Sequence, residues 1–285
     1  MSAKIIDGNK IAESLKQGLK SELEKLKEKL VLVAVQVGEN PASKVYIKNQ
    51  KSSCEEAGII YNLVQLAETI SESDLIAEIE KINRDKKVTG IILQLPIPPH
   101  INSRKIQMAI KPEKDVEGVT PENLGKLLYA DTKPTVAPCT ALSVMECIKS
   151  TGENIKGKEA VIVGHSEIVG KPVTLMLLSS LLDSATPTVC HIATKDLATH
   201  TKRAEILIVA AGIPGLIKGN MIKEGAIVID VGINCIKNKI IGDVDFDEAV
   251  KVAGYITPVP GGVGAVTTVI LLKNLLYLYK TQIGN

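Results

Sequence analysis

Residues Glu159–Leu178 read EAVIVGHSEIVGKPVTLMLL, and this stretch decides the fold. Its residues 160–163, AVIV, are an apolar, mostly β-branched run of the length of a buried strand. Gly164 and Gly170 bracket a polar turn, and the apolar residues that follow repeat at helical spacing. A strand, a glycine turn and a helix in that order place free backbone N–H groups and the positive end of a helix dipole at the strand's carboxyl end, where a phosphate is stabilised. The fit to the dinucleotide-binding pattern G-x-G-x-x-G is imperfect, because Ser166 stands where the second glycine belongs and Gly170 falls one residue late. Taken alone, the turn suits a nucleotide phosphate or a purely structural corner.

Outward from this stretch, strand and helix patterns alternate along nearly the whole chain. LVLVAVQVG (30–38), GIILQLPIP (90–98), ILIVAAG (206–212) and AIVIDVG (226–232) are further apolar runs of strand length. Leucines from Leu15 to Leu30 recur at helical spacing among lysines and glutamates, and Asn40 followed by Pro41 reads as the start of another helix. Such alternation predicts an α/β protein with parallel sheets and ligands at the carboxyl ends of strands. The proline-containing segment Lys133–Ala141, just before the second-half βαβ pattern, is the expected domain boundary. There is no internal repeat or low-complexity tract.

Composition narrows the function classes. The 285 residues carry a formal net charge of +2 without a basic block, so a nucleic-acid partner is not expected. No run approaches 18 uninterrupted apolar residues and the first ten have no signal-peptide pattern, so neither secretion nor a membrane partner is expected. Five scattered cysteines without a C-x-x-C pair read as reduced, core-packed thiols of a cytoplasmic protein. Four histidines show no H-x-x-x-H or H-E-x-x-H spacing, so no metal is expected.

Several residues are candidates for chemistry. The strand PTVCHI ends at His191 and Ile192, where an NAD-binding domain would offer an acid to the ribose hydroxyls. His165 and Lys195 are instead available to face a 2′-phosphate. ITPVPGGVGAVTTVILL (256–272) packs three glycines into four positions and then turns into an apolar helix, which suits a ligand-lining loop or a tight turn. Gln94, inside an apolar strand beside Pro96 and Pro98, needs hydrogen-bond partners from backbone or ligand. Asp115 and Glu117 lie in a loop, where acids are usually solvated. In SKVYIKNQK (43–51) a helix would set Gln50 about 40° from Tyr46, and Lys44, Lys48 and Lys51 about 140–160° away. The lysines are then a solvated back, and Tyr46 and Gln50 share the other face.

Nine motifs in order, GENPASKVYIKNQKSSCEEAGI, GIILQLPIP, KPEKDVEG, PCTA, VGHSEIVGKP, CHIATKDL, GAIVIDVGIN, GDVDF and ITPVPGGVGAVT, resemble the bifunctional methylenetetrahydrofolate dehydrogenase/methenyltetrahydrofolate cyclohydrolase family. The resemblance implies an amino-terminal α/β domain (1–140, joined by a carboxyl-terminal helix at 266–285), a Rossmann NADP-binding domain (141–265), a folate cleft between them and a homodimer. It implies oxidation of 5,10-methylenetetrahydrofolate by hydride transfer to NADP, then opening of the methenyl cation to 10-formyltetrahydrofolate. By the same resemblance Tyr46 stacks on the folate ring, Gln94 orients a catalytic lysine, and Pro96, Glu117, Pro260, Gly261 and Gly262 line the folate site. Gly164, His165, Ser166, Ile192 and Ile233 fall at cofactor positions.

Departures from the family pattern gather on the folate side. The lysine four residues after the tyrosine is Gln50, the second aspartate of KDVDG is Glu117, PCTP has become PCTA at Ala141, and GGVGPMT has become GGVGAVT at Ala265 and Val266. On the cofactor side, His165 stands where an arginine is frequent. These changes leave three expectations open: a dehydrogenase whose cyclohydrolase step is weak or absent, the full bifunctional enzyme, or a silent paralogue that binds folate or nucleotide.

Overall fold

The computed structural model describes residues 2–129, 136–180, 182–237 and 239–284. The chain forms two compact units, each with its own parallel sheet. Of the expected boundary at Lys133–Ala141, residues 133–135 lie outside the described residues.

Along the chain come β1 (Lys4–Ile5), α1 (Gly8–Leu23), β2 (Val31–Val37), α2 (Pro41–Glu56), β3 (Ile60–Leu66), α3 (Glu72–Arg84), β4 (Gly90–Leu93), α4 (Ser103–Ala109) and α5 (Pro121–Lys126). Then follow α6 (Cys139–Ser150), β5 (Glu159–Val163), α7 (Gly170–Leu177), β6 (Thr186–Cys190), α8 (Leu197–Thr201), β7 (Ile206–Val209) and β8 (Ile227–Asp230). The chain closes with β9 (Asn234–Ile236), β10 (Lys239–Ile241), α9 (Phe246–Ala249), β11 (Tyr255–Ile256) and α10 (Val263–Gln282).

The three-strand unit takes in Leu15–Gly125, Ala137 and the residues from Thr268 onward. Its strands run in the order β3-β2-β4, all parallel, with Val31–Val37 of β2 facing Ile60–Leu66 of β3. Apart from Val31, β2 is fully buried, which is why its sequence reads as an unbroken apolar run and not as an alternation. Val33, Val35 and Val37 pack with Leu75, Ile79 and Ile82 of α3 and with Ile91 and Leu93 of β4. α10 is long and apolar enough to cross a membrane by length and composition. Its apolarity is that of a core helix, since Leu271, Leu272, Leu275, Leu276 and Leu278 are buried.

The six-strand unit carries the sheet β1-β11-β8-β7-β5-β6, again all parallel, and a separate β9-β10 hairpin. Ile206–Val209 and Ile227–Ile229 are fully or almost fully buried, as strands covered on both faces require. β1 belongs here: Lys4 and Ile5 pair with Tyr255 and Ile256. Residues 2–14 therefore group with this unit and not with the rest of the expected 1–140 domain.

Three local expectations are corrected. The first long helix spans Gly8–Leu23 and not 15–30, because the Asp7 carboxylate accepts from the N–H groups of Asn9 and Lys10 and starts the helix early. Gln94 lies just past β4, although its N–H still donates to Val35 O at 2.8 Å. Asp115 is buried and not solvated. Its carboxylate accepts from Gly118 N (2.9 Å), Thr120 N (2.8 Å) and Asn123 Nδ2 (3.0 Å), so it shapes the loop around Glu117.

Candidate active site

In the three-strand unit the candidate residues arise from α2, β3, the end of β4 and the loop that follows Pro112. α2 buries Ser43, Ile47 and Cys54, spaced at four and seven residues along one face. Tyr46 and Gln50 lie to one side of that stripe, and the Tyr46 side chain is 54% exposed, which leaves its ring face free for a flat ligand. Lys44, Lys48 and Lys51 are exposed, with Lys44 paired to Glu39 at 3.1 Å and Lys51 to Glu55 at 3.9 Å.

Gln50 is held from two sides. Gln94 Nε2 donates to Gln50 Oε1 at 2.8 Å, and Tyr61 Oη donates to the same oxygen at 3.3 Å. An amide oxygen has two lone pairs, so both are occupied and the N–H donors of Gln50 are the groups left for a ligand. Nothing in the sequence marks Tyr61 as a candidate. It sits in β3, a strand whose residues IYNLVQL alternate poorly because β3 is a sheet edge, and no motif joins it to Gln50. Burial, and then the neighbouring Cys54, raise the Tyr61 phenol above its ordinary pKa, so it remains an O–H donor at neutral pH.

The loop bearing Glu117 is fixed by a buried polar framework. Lys114 Nζ donates to Ile82 O (3.3 Å) and Asp85 O (2.5 Å), satisfying carbonyls at the end of α3. Asn83 Nδ2 donates to Ala109 O at 2.7 Å, and Asn274 Nδ2 of α10 donates to Val116 O and Ala137 O at 2.9 and 3.0 Å. Gly118 has φ +69°, and a Cβ there would lie 2.4 Å from the Ala137 carbonyl carbon, so the family's glycine after the acid is a packing requirement. Glu117 itself is half-buried with its pKa pushed up to about 8, first by burial and then by the Asp115 charge. Pro96, after a cis Leu95–Pro96 bond, is exposed.

In the six-strand unit Gly164 ends β5 with φ +119°, and a Cβ there would fall 2.2 Å from Ala210 O at the end of β7. A Cβ on Gly170 would fall 2.0 Å from Gly164 O, so both glycines bring α7 close against the strand ends. His165, Ser166 and Ile192 are exposed at these ends, Ile192 by 97%, and Ile233 is exposed beyond β8. The rings of His165 and His191 stand 5.2 Å apart, and Lys195 is exposed. No carboxylate of a β6-end residue is present there; His191 and Ile192 occupy that place. Val259–Pro260 is cis, Gly261 has φ +98° and Gly261 O accepts from Gly8 N at 2.8 Å, so the PGGVG loop is a tight turn seated on the start of α1.

The motifs DVGIN and GDVDF close on each other through two buried acids. Asp230 accepts from Gly232 N, Asp243 N and Val244 N, and Asp243 accepts from Ala211 N, Gly212 N and Asn234 Nδ2. Burial raises Asp230 to about 6, against the pull of the N–H groups from Val244, Asp243 and Gly232. These acids shape the strand-end loops. Of the cysteines, Cys54, Cys147 and Cys190 are buried, whereas Cys235 is exposed, so core packing does not describe all five. Among the described residues no cluster of three metal-ligating side chains occurs.

Residues 6–117 match the profile of the tetrahydrofolate dehydrogenase/cyclohydrolase catalytic domain, and residues 138–283 match that of the NAD(P)-binding domain of the same family. The chain belongs to the tetrahydrofolate dehydrogenase/cyclohydrolase family. It is 48% identical over 278 residues to the bifunctional protein FolD of Moorella thermoacetica, covering 96% of this chain and 98% of that one. The crystal structure of the bifunctional enzyme FolD from Campylobacter jejuni superposes with a TM-score of 0.94 at 43% identity, over 99% of this chain and 100% of that one. The Trypanosoma brucei dehydrogenase-cyclohydrolase, solved with NADP cofactor and an inhibitor, gives a TM-score of 0.93 at 36% identity over 100% of both chains. Within this family's two domains, Tyr46, Gln50, Tyr61, Gln94 and Glu117 all fall in the catalytic profile. Gly164, His165, Ser166, Ile192 and Ile233 fall in the NAD(P)-binding profile, as do Pro260, Gly261 and Gly262.

Proposed function

We propose that this protein is an NADP-dependent 5,10-methylenetetrahydrofolate dehydrogenase in which the cyclohydrolase step is weak or absent. The observation that carries the second half of this reading is the pair of hydrogen bonds that occupies Gln50 Oε1. Tyr46 offers its exposed ring to the pterin, Gln94 and Gln50 supply amide groups beside it, and Glu117 faces the pterin's amino group. Gly164 and Gly170 give the pyrophosphate close access to backbone, with Ser166 beside it, and Ile192 and Ile233 offer apolar cover. NADP, when bound, supplies the hydride acceptor; the protein's contribution is alignment of the two ligands. Hydride transfer needs no protein base, so loss of the lysine leaves that step intact. The names of the relatives favour a second reading, the full bifunctional enzyme making 10-formyltetrahydrofolate.

The experiment measures the two half-reactions separately on the purified protein. NADP-dependent formation of the methenyl cation with no hydrolysis above the no-enzyme rate supports the proposal; hydrolysis well above that rate returns the bifunctional reading. Neither reaction, with folate still bound, indicates a silent paralogue.

Cofactor choice follows from the strand-end chemistry. Without an acid beside Ile192 to hold both ribose hydroxyls, and with His165, His191 and Lys195 as donors for a 2′-phosphate, kcat/KM for NADP is expected to exceed that for NAD by about tenfold or more. A clear preference for NAD in the same assay overturns the assignment. Tyr46→Ala removes the ring face and is expected to weaken folate binding about tenfold while NADP binding stays near wild type. Equal losses for both ligands would mean that Tyr46 supports structure instead.

We also propose a cytoplasmic protein with no nucleic-acid or membrane partner, on the near-neutral charge, the free cysteines and the burial of α10, and a homodimer on the family resemblance alone.

A further inference from the structure

We propose that Tyr61 is a positioning residue for the folate reaction, turning the Gln50 side chain so that its amide N–H groups, and not its carbonyl, face the substrate. The proposal rests on the dehydrogenase reading above.

Geometry carries it. α2 presents Gln50 toward the sheet, where Tyr61 of β3 and Gln94 beyond β4 approach from the two strands that flank β2. An amide side chain can present either end, and one hydrogen bond from Gln94 alone does not choose, since Gln94 is itself an amide able to flip. A phenol on a second strand, also aimed at Oε1, breaks that symmetry: after a reversal its oxygen could accept from Gln50 Nε2, but its own O–H would lose the acceptor it has in Gln50 Oε1. Tyr61 is half-buried and Gln94 is buried, so a reversed amide has little water with which to compensate. Raised above its usual pKa by burial, the phenol keeps its proton over the working range.

The chemical consequence concerns substrate choice at one atom. An outward N–H donor favours a lone pair on the folate near the reacting carbon, for example a ring nitrogen or a carbonyl oxygen. It offers nothing to a positively charged or N–H-bearing group. Tyr61 and Gln50 form a matched pair: a lysine ammonium has no acceptor, so with lysine at position 50 the Tyr61 hydroxyl would have to accept instead of donate.

A double-mutant cycle tests this, with dehydrogenase kcat/KM for the folate, equilibrium tetrahydrofolate binding and Tm measured on each variant. Tyr61→Phe removes only the hydroxyl and keeps the ring, so folding and NADP binding are expected to hold. It is expected to lower kcat/KM and tetrahydrofolate affinity about 3- to 10-fold, the worth of one neutral hydrogen bond. In a Gln50→Ala background the same change is expected to have almost no effect, because the group it positions is gone. An equal loss in both backgrounds, or no loss in either, overturns the proposal while leaving the dehydrogenase reading intact. If Tyr61→Phe lowers Tm sharply, the cycle is read from tetrahydrofolate binding at a temperature at which every variant is folded; an equal loss in both backgrounds there overturns it too. A wild-type protein with no dehydrogenase activity overturns the underlying reading and this proposal with it.

Discussion

Replacing Gln50 by lysine is expected to raise methenyltetrahydrofolate hydrolysis by about 10²- to 10⁴-fold, the usual contribution of one general acid–base group. The wild-type protein is expected to hydrolyse it close to the uncatalysed rate. Opening the methenyl cation requires a water to attack carbon while it sheds a proton. In the wild type the only acceptor on Gln50 already takes hydrogen bonds from Gln94 and Tyr61. What remains is an N–H donor, which binds a water at its oxygen and cannot take the proton that the attacking water sheds. Glu117, with its pKa at about 8, is mostly protonated at neutral pH and is a poor base there. A lysine at position 50 would bring a titratable amine beside the half-buried Tyr61 and the buried Gln94, surroundings that lower an amine's pKa toward the useful range. Stopped assays of methenyltetrahydrofolate loss against a no-enzyme control measure the effect. Robust wild-type hydrolysis, or a Gln50→Lys variant that binds folate yet gains nothing, would sink this account.

The same residues show how much of the site was legible beforehand. Buried parallel strands such as β2, β7 and β8 announce themselves as apolar runs, because both faces are covered and no polar alternation interrupts them. The Tyr46–Gln50 face could be drawn from helical geometry alone, since residues four apart on one helix are neighbours whatever surrounds them. Contacts across strands have no such local rule. Tyr61 meets Gln50 only because β3 pairs with β2 in one particular register, and an edge strand with mixed polarity gives a weak signal of its own existence. The solvation expected of Asp115 fails for a related reason: a loop acid is solvated by default, and two backbone N–H groups and an Asn123 amide converge on it only in the fold. Two-residue strands such as β1, which depend wholly on the distant partner β11, leave almost no mark in sequence.

Folate affinity is expected to rise about tenfold per pH unit between pH 6 and 7 and to level off above about pH 8, close to a 100-fold rise from pH 6 to the plateau. A pterin offers its ring N–H and amino group as paired donors, which fit an ionised carboxylate and not a protonated one. Burial and the Asp115 charge hold the Glu117 carboxyl up to about 8, so below that pH each binding event must first remove a proton. The sign for stability runs the other way. A carboxyl whose folded pKa lies above its unfolded value of 4.5 costs nothing at low pH, and stability declines as pH rises from about 4.5 to about 8, where the unfolded chain ionises and the folded one does not. Acid therefore favours the fold and opposes the ligand through one and the same group. Glu117→Gln separates the two effects: it is expected to flatten both profiles, with folate affinity fixed near the weak, low-pH level and the stability loss across that window removed. Titrations of tetrahydrofolate binding and of Tm between pH 5.5 and 8.5 measure both, with NADP affinity as the control. A wild-type folate affinity that stays constant across this range would show that Glu117 does not meet the pterin as a carboxylate.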